Sequence, residues 1–282
     1  MLALGMIAAL AMPGTAQATP QLGDLGVKQS MSVKASNGES LEGKDLRAIQ
    51  LATYTAASVD GNTIVGYDLT TNTALASDIT AAAKAAGATD TNLTVNGKND
   101  PMVWVVKNLT DSRSDPWSGK LRNFCNSLAK QTNFAKQDGT AVSTLSQDKA
   151  TMSTGNVLVP GIYAIVDRTP ATTTLSSGTA IKTTASIMMM NGTAVNGVNQ
   201  LRTAGGTTLT LGQVIYKVSN VESPDKKVNV GSAWKDSASE AIGKDLTYRV
   251  TQKIPNWTGY EHYNLALNDT IGAGLDYGAL TS

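Results

Sequence analysis

Two adjacent lysines, Lys226 and Lys227, open the alternating run KKVNV, and an aspartate, Asp269, closes a second alternating run, YNLALND. Side chains on a strand alternate between faces. Lys226 therefore shares a face with Val228 and Val230, and Asp269 shares one with Tyr263, Leu265 and Leu267. Those valines and leucines mark a core face, so an amine and an acid are both aimed inward. A buried charge is costly unless it is paired or neutralised. Burial lowers a lysine's pKa and raises a carboxylic acid's. A neutral amine beside a protonated acid is a nucleophile with a proton donor. Lys227 takes this role if the register slips by one residue, because such a slip exchanges the two faces.

No other constellation competes with this one. The chain has one cysteine, Cys125, and one histidine, His262, which cannot build a thiolate or imidazole metal cage. Cys125 lies in a helical pattern as a small apolar residue. No metal or cofactor is expected, and no paired carboxylates or nucleophile motif mark a turnover enzyme. Charged residues make up 16% of the 282 positions and the net charge is +1, so there is no basic field for nucleic acid or anionic membrane.

The elements that must position the lysine and the acid read as mainly β. A length of 282 residues suggests about two domains. Residues 1–18, an apolar run followed by Pro13-Gly14 and Ala16-Gln17-Ala18, carry the features of a secretory signal. The run is too short for a membrane span, so the mature segment is expected to have none. In the segment after it, Val27, Met31 and Val33 share a strand face, with turns at Asn37-Gly38 and Asp60-Gly61. SDITAAAKAAG reads as a helix capped by Ser77 or Asp78 and ended by Gly87. Met102–Val106 reads as a strand. DPWSGKLRNFCNSLAKQ reads as a helix started by Asp115 and Pro116, with Trp117, Leu121, Phe124, Cys125 and Leu128 on one face. Further strands follow in NVLVPGIYAIVDRT, ASIMMMN and LTLGQVIYKVSNV. The polar, proline-bearing SNVESPDKK then separates residues 19–221 from residues 222–282. The second segment has about 60 residues, short of the roughly 100 of a β-sandwich, and is expected to be incomplete.

The order KKV, IGKDLTYRVTQKIPN and YNLALNDTIGAGLDY resembles the start of the isopeptide-forming domain of Gram-positive, sortase-assembled fimbrial pilins. The resemblance covers about Pro224 to Tyr277, with Gly243-Lys244-Asp245 in place of the commoner Gly-Asp step. It implies tandem Ig-like (CnaB-type) β-sandwich domains, the first with short helical insertions and the second truncated. It also implies a single-turnover bond between Lys226 and an Asn on a last strand, expected beyond Ser282, with Asp269 assisting. In the same family a Tyr-Pro-Lys motif supplies the lysine that sortase joins to the next subunit. Tyr216-Lys217 stands in that place without the proline, and alternation turns Lys217 away from the Val214–Tyr216–Val218 face. PGIYAIVDRTP resembles the pilin E-box, with Asp167 where Glu is usual, and implies that Asp167 assists a bond in its own domain. Its lysine belongs on the first strand, yet Lys28 and Lys34 both fall opposite the Val27–Met31–Val33 face.

The expectation is an exported structural subunit of a cell-wall fimbria mediating adhesion. Its implied partners are other pilin subunits, sortase and a host or bacterial surface ligand. The alternative is a non-polymerising cell-wall adhesin for a glycan or matrix protein, for which Trp104, Trp117, Trp234 and Trp257 are the aromatic candidates.

Overall fold

The computed structural model describes residues 20–279 apart from positions 37–38, 96, 110–118, 171, 179, 184–187, 204–205, 217–219, 222–223, 255–264 and 277. The segment expected to be a secretory signal, together with Trp117, Lys217, Trp257 and His262, lies outside the described residues.

The chain is mainly β, built from several sheets. In order come β1 (Gln21–Leu22), β2 (Ser32–Ala35), β3 (Leu46–Asp60) and β4 (Thr63–Thr71). Helix α1 (Ala76–Ala85), the short β5 (Thr94–Val95) and β6 (Lys98–Asn99), then α2 (Pro101–Asn108), α3 (Lys120–Ala129) and α4 (Thr132–Ala135) follow. Next are β7 (Thr140–Val142), β8 (Thr144–Leu145), β9 (Thr151–Ser153), β10 (Gly161–Asp167), β11 (Thr172–Thr174) and β12 (Ala180–Thr183). Then come β13 (Met189–Gly192), β14 (Gln200–Arg202), β15 (Thr208–Thr210), β16 (Gln213–Tyr216) and β17 (Asn220–Val221). Last are β18 (Asp225–Val230), β19 (Ala233–Lys235) and β20 (Tyr248–Thr251).

An eight-stranded sheet runs β13-β10-β3-β4-β14-β15, with β1 and β7 also on β3, and a four-stranded sheet runs β16-β2-β9-β8. The long hairpin β3–β4 turns at Gly61, whose φ of 56° a residue with a side chain rarely adopts. Alternation along β3 and β10 sends side chains into two cores. Ile49, Leu51, Ile162 and Ala164 pack with Ile79, Met102, Phe124 and Leu128 of the helices. Leu46, Ala48, Tyr163 and Ile165 pack with Met31, Val33, Val214 and Tyr216 of the four-stranded sheet. The β3–β10 register skips Leu51, pairing Ile162 with Ala52 and Tyr163 with Gln50. This bulge lets Leu51 and Ala52 both face the helices.

Two local expectations are corrected. Residues 102–106 are helical, not extended. Pro101 at the first helical position presets the backbone, and Asp100 holds the helix start by accepting from Thr71 N at 2.9 Å, while Met102 N donates to Thr71 Oγ1 at 3.0 Å. Met102 and Val105, one turn apart, are both buried. These tertiary contacts override the strand preference of the valines. Asp78 caps nothing on its own helix. Its buried carboxylate accepts from Phe134 N at 2.8 Å and Asn133 Nδ2 at 3.0 Å, tying α1 to α4. The other helix end is as expected, with Gly87 at φ 103° and its N–H on Lys84 O. Around Phe124, Cys125 and Leu128 the expected buried face is present; Asp115 and Pro116 lie outside the described residues.

Strands β18–β20 form their own three-stranded sheet, pairing among the described residues only with each other. Residues 265–272, expected to continue as a strand, contain neither strand nor helix.

Candidate functional site

β18 is the middle strand of its sheet, and its register sets which lysine faces which side. Lys226 pairs with Val250, and Val228 with Tyr248. Lys226, Val228, Tyr248 and Val250 therefore share one face, the face alternation assigns to Lys226. Its Nζ lies 4.8 Å from the centre of the Tyr248 ring. Asp269 reaches the same amine from the irregular 265–272 stretch, with Oδ1 at 2.9 Å and Oδ2 at 2.8 Å. The structure thus joins the two residues by a bidentate ion pair.

The burial expected for that pair is not found. The Lys226 and Asp269 side chains are 40% and 53% exposed. Val228 is buried, but Tyr248, Val250, Leu265 and Leu267 stay between 39% and 52% exposed. Among the described residues no second sheet closes over this face, so water reaches both charges. An exposed pair of this kind contributes only about 0–1 kcal/mol.

Lys227 points to the other side. Its ammonium meets the carboxylates of Asp236 and, at 3.4 Å, Asp225. The hydrogen bond to Asp236 leads in holding its pKa above the usual lysine value. On the same outer side the Arg249 guanidinium lies 4.5 Å from the centre of the Trp234 ring, so that ring already has a cation on it. Trp104 packs partly buried against the helix-side core.

A second amine–acid grouping sits at the end of the β10–β16 core. Asp167 closes β10, and its Oδ1 accepts from Thr169 N at 2.9 Å. Tyr216, the last residue of β16 and only 1% exposed, donates its hydroxyl to Asp167 Oδ2 at 2.5 Å. Lys44 lies beside them, 7% exposed, with its Nζ 5.5 Å from the centre of the Tyr216 ring. That Nζ is buried and has no hydrogen-bond partner among the described residues. Burial pushes the Lys44 pKa below the usual lysine value, against the opposing fields of Asp167 and Glu39.

The loop that carries Lys44 is held from outside. Glu42 accepts from Lys149 Nζ at 2.5 Å and from Ser176 N at 3.3 Å, and Gly43 turns the chain at φ 77°. Lys28 and Lys34 are exposed, as their face requires. Sequence reasoning sought a lysine on β2 and missed Lys44. The signal was one step away: Lys44 precedes Leu46 and Ala48 by two and four positions, on the side of β3 that feeds the β2–β16 core.

The remaining chemistry is sparse. Cys125 is buried among apolar groups, which raises its thiol to about 11. No cluster of metal-ligating side chains occurs among the described residues, and no described helix is long and apolar enough to cross a membrane. A cavity of about 200 Å³ between Phe134, Ala135, Val166 and Met188 is smaller than the roughly 300–1,000 Å³ of ligand pockets.

No family model matches this chain, and no curated protein matches it.

Proposed function

We propose that this chain is an exported structural subunit of a covalently polymerised Gram-positive fimbria built of Ig-like domains, the second of which carries an internal Lys–Asn bond. The observation that carries the reading is the Lys226 amine gripped by both oxygens of Asp269 on an apolar sheet face. An ion pair there contributes little to stability, so its position on that face needs another reason.

The chemistry requires a further strand, bearing an Asn carboxamide, packed on the open face. Covering the pair removes water, favours the neutral amine and the protonated acid, and holds the amine against the carboxamide. The Lys226 nitrogen then bonds to the carboxamide carbon, the carbon–NH2 bond breaks, and ammonia leaves. Asp269 passes the proton from the amine to the leaving nitrogen and is regenerated. The reaction occurs once per chain. Lys217 is the proposed amine for sortase, with other subunits as partners.

Intact mass of the full-length gene product tests the bond. An ammonia missing from the calculated mass of the parent and not missing from that of Lys226→Ala is expected; full calculated masses for both proteins refute it. Polymer ladders in denatured cell-wall extract separate a fimbrial subunit from an adhesin that does not polymerise, which gives a single band.

A further inference from the structure

We propose that the parallel β2–β16 pair is a mechanical clamp that resists tension along the chain. The pair joins the first strand of the four-stranded sheet to its last strand in sequence, with Gln213 opposite Ser32 and Tyr216 opposite Ala35. Tension entering before β2 pulls that strand toward its N-terminal end. Tension leaving after β16 pulls that strand toward its C-terminal end. Because the strands are parallel, these pulls are opposed along one axis, and the evenly spaced ladder bonds are loaded together in shear. In an antiparallel pair the same pulls would open the bonds one at a time from one end.

The surroundings reinforce both strands. β2 is flanked on its other side by β9, and Met31, Val33, Val214 and Tyr216 are all buried in the same core. Ser32 N donates to Gly212 O at 2.8 Å, extending the ladder beyond β16. Ahead of β2, Gln29 and Leu158 exchange two backbone bonds, at 2.8 and 3.0 Å. Tyr216 fixes the loaded end of β16 to the interior strand β10 of the eight-stranded sheet through its bond to Asp167. Sliding β16 forward requires this part-buried bond and the ladder to break in the same event. By contrast β1 and β17, at the outer margins, hold by two-residue pairings and give way first.

The use of such a clamp rests on the reading of the chain as a fimbrial subunit; its mechanics do not. Forced unfolding is governed by the unfolding rate, so single-molecule pulling of the full chain is the test. Exposed attachment points at Lys28→Cys and Pro224→Cys load the pair in shear. Lys28→Cys with Gln213→Cys loads the same two strands from one end. Cys125, buried and with its thiol raised to about 11, stays out of the coupling chemistry. At one loading rate the shear geometry is expected to need a higher force than the end-on geometry, because its ladder bonds are loaded together. Equal forces overturn the clamp. Tyr216→Phe, which removes one hydroxyl, is expected to lower the shear force, and an unchanged force overturns the side-chain anchor. A chain that clamps but forms no polymer ladder keeps this inference and loses the fimbrial reading. A chain that polymerises and yields equally in both geometries loses the clamp alone.

Discussion

The two regions each hold an amine near a carboxylate, and each supplies one condition for a reactive amine. In the first, the Lys44 Nζ is buried and lacks a hydrogen-bond partner among the described residues, while Asp167 is engaged by Tyr216 and Thr169. In the second, Lys226 is in direct contact with Asp269, but both stay in reach of water. Desolvation without contact lowers an amine's pKa; contact without desolvation gives an ordinary ion pair. The difference follows from what covers each site. Lys44 is covered and lies against the Tyr216 ring of the four-stranded sheet, whereas one open sheet carries Lys226.

The largest break in this comparison comes from removing the acids. Asp167→Ala removes the Asp167 acceptor of the Tyr216 hydroxyl and deprives Lys44 of a favourable field. A loss of about 2–4 kcal/mol is expected in urea unfolding. Asp269→Ala in the same assay costs at most about 1 kcal/mol. Similar losses at both positions would show that the two sites are not differently solvated.

Next in size is the amine itself. Lys44→Met keeps the length of the side chain and removes a buried charge, so a gain of about 1–2 kcal/mol is expected. If Lys44 forms a covalent bond within its unit, the same substitution lowers the melting temperature and restores one ammonia to the mass. The pH dependence gives an independent check. Burial holds the folded Lys44 below its ordinary value of 10.5. Between the folded value and 10.5 the unfolded chain therefore binds more protons, and stability rises with pH across that window, levelling off above it. Lys44→Met is expected to lack this rise when the two titrations are subtracted.

The smallest effect is that of salt on the second pair. Screening at about 1 M ionic strength shortens the reach of exposed charges to about 3 Å. The difference between the parent chain and Asp269→Ala should shrink toward zero there, whereas the Asp167→Ala loss should persist. A salt-insensitive Asp269 effect would mean that the pair is shielded after all.

Local pattern made much of this legible. Alternation alone assigned Lys226, rather than Lys227, to the side of Val228, and it turned Lys28 and Lys34 away from the core, because a two-residue period needs no distant information. Gly61 and Gly87 marked a turn and a helix end through backbone freedom that belongs to the residue itself. Where distant partners decided, local pattern failed. The valines of Met102–Val106 favour a strand, but Thr71 and Asp100 secure a helix start there. Asp78 has the chemistry of a cap, yet its carboxylate serves the backbone of Phe134. Lys44 stands ahead of a long apolar strand, and its burial depends on Tyr216 arriving from far along the chain.

By itself the sequence determined which side of each strand an amine or acid occupies, where the chain can turn, and that no cysteine or histidine cage is available. Only the tertiary structure decided that β2 and β16 lie parallel, joined by a contact spanning 180 positions, that Lys44 loses its water, and that Lys226 keeps some. The reason is physical: side-chain direction is fixed by the dihedral angles of neighbouring residues, whereas solvent exposure depends on which remote surface arrives to cover it.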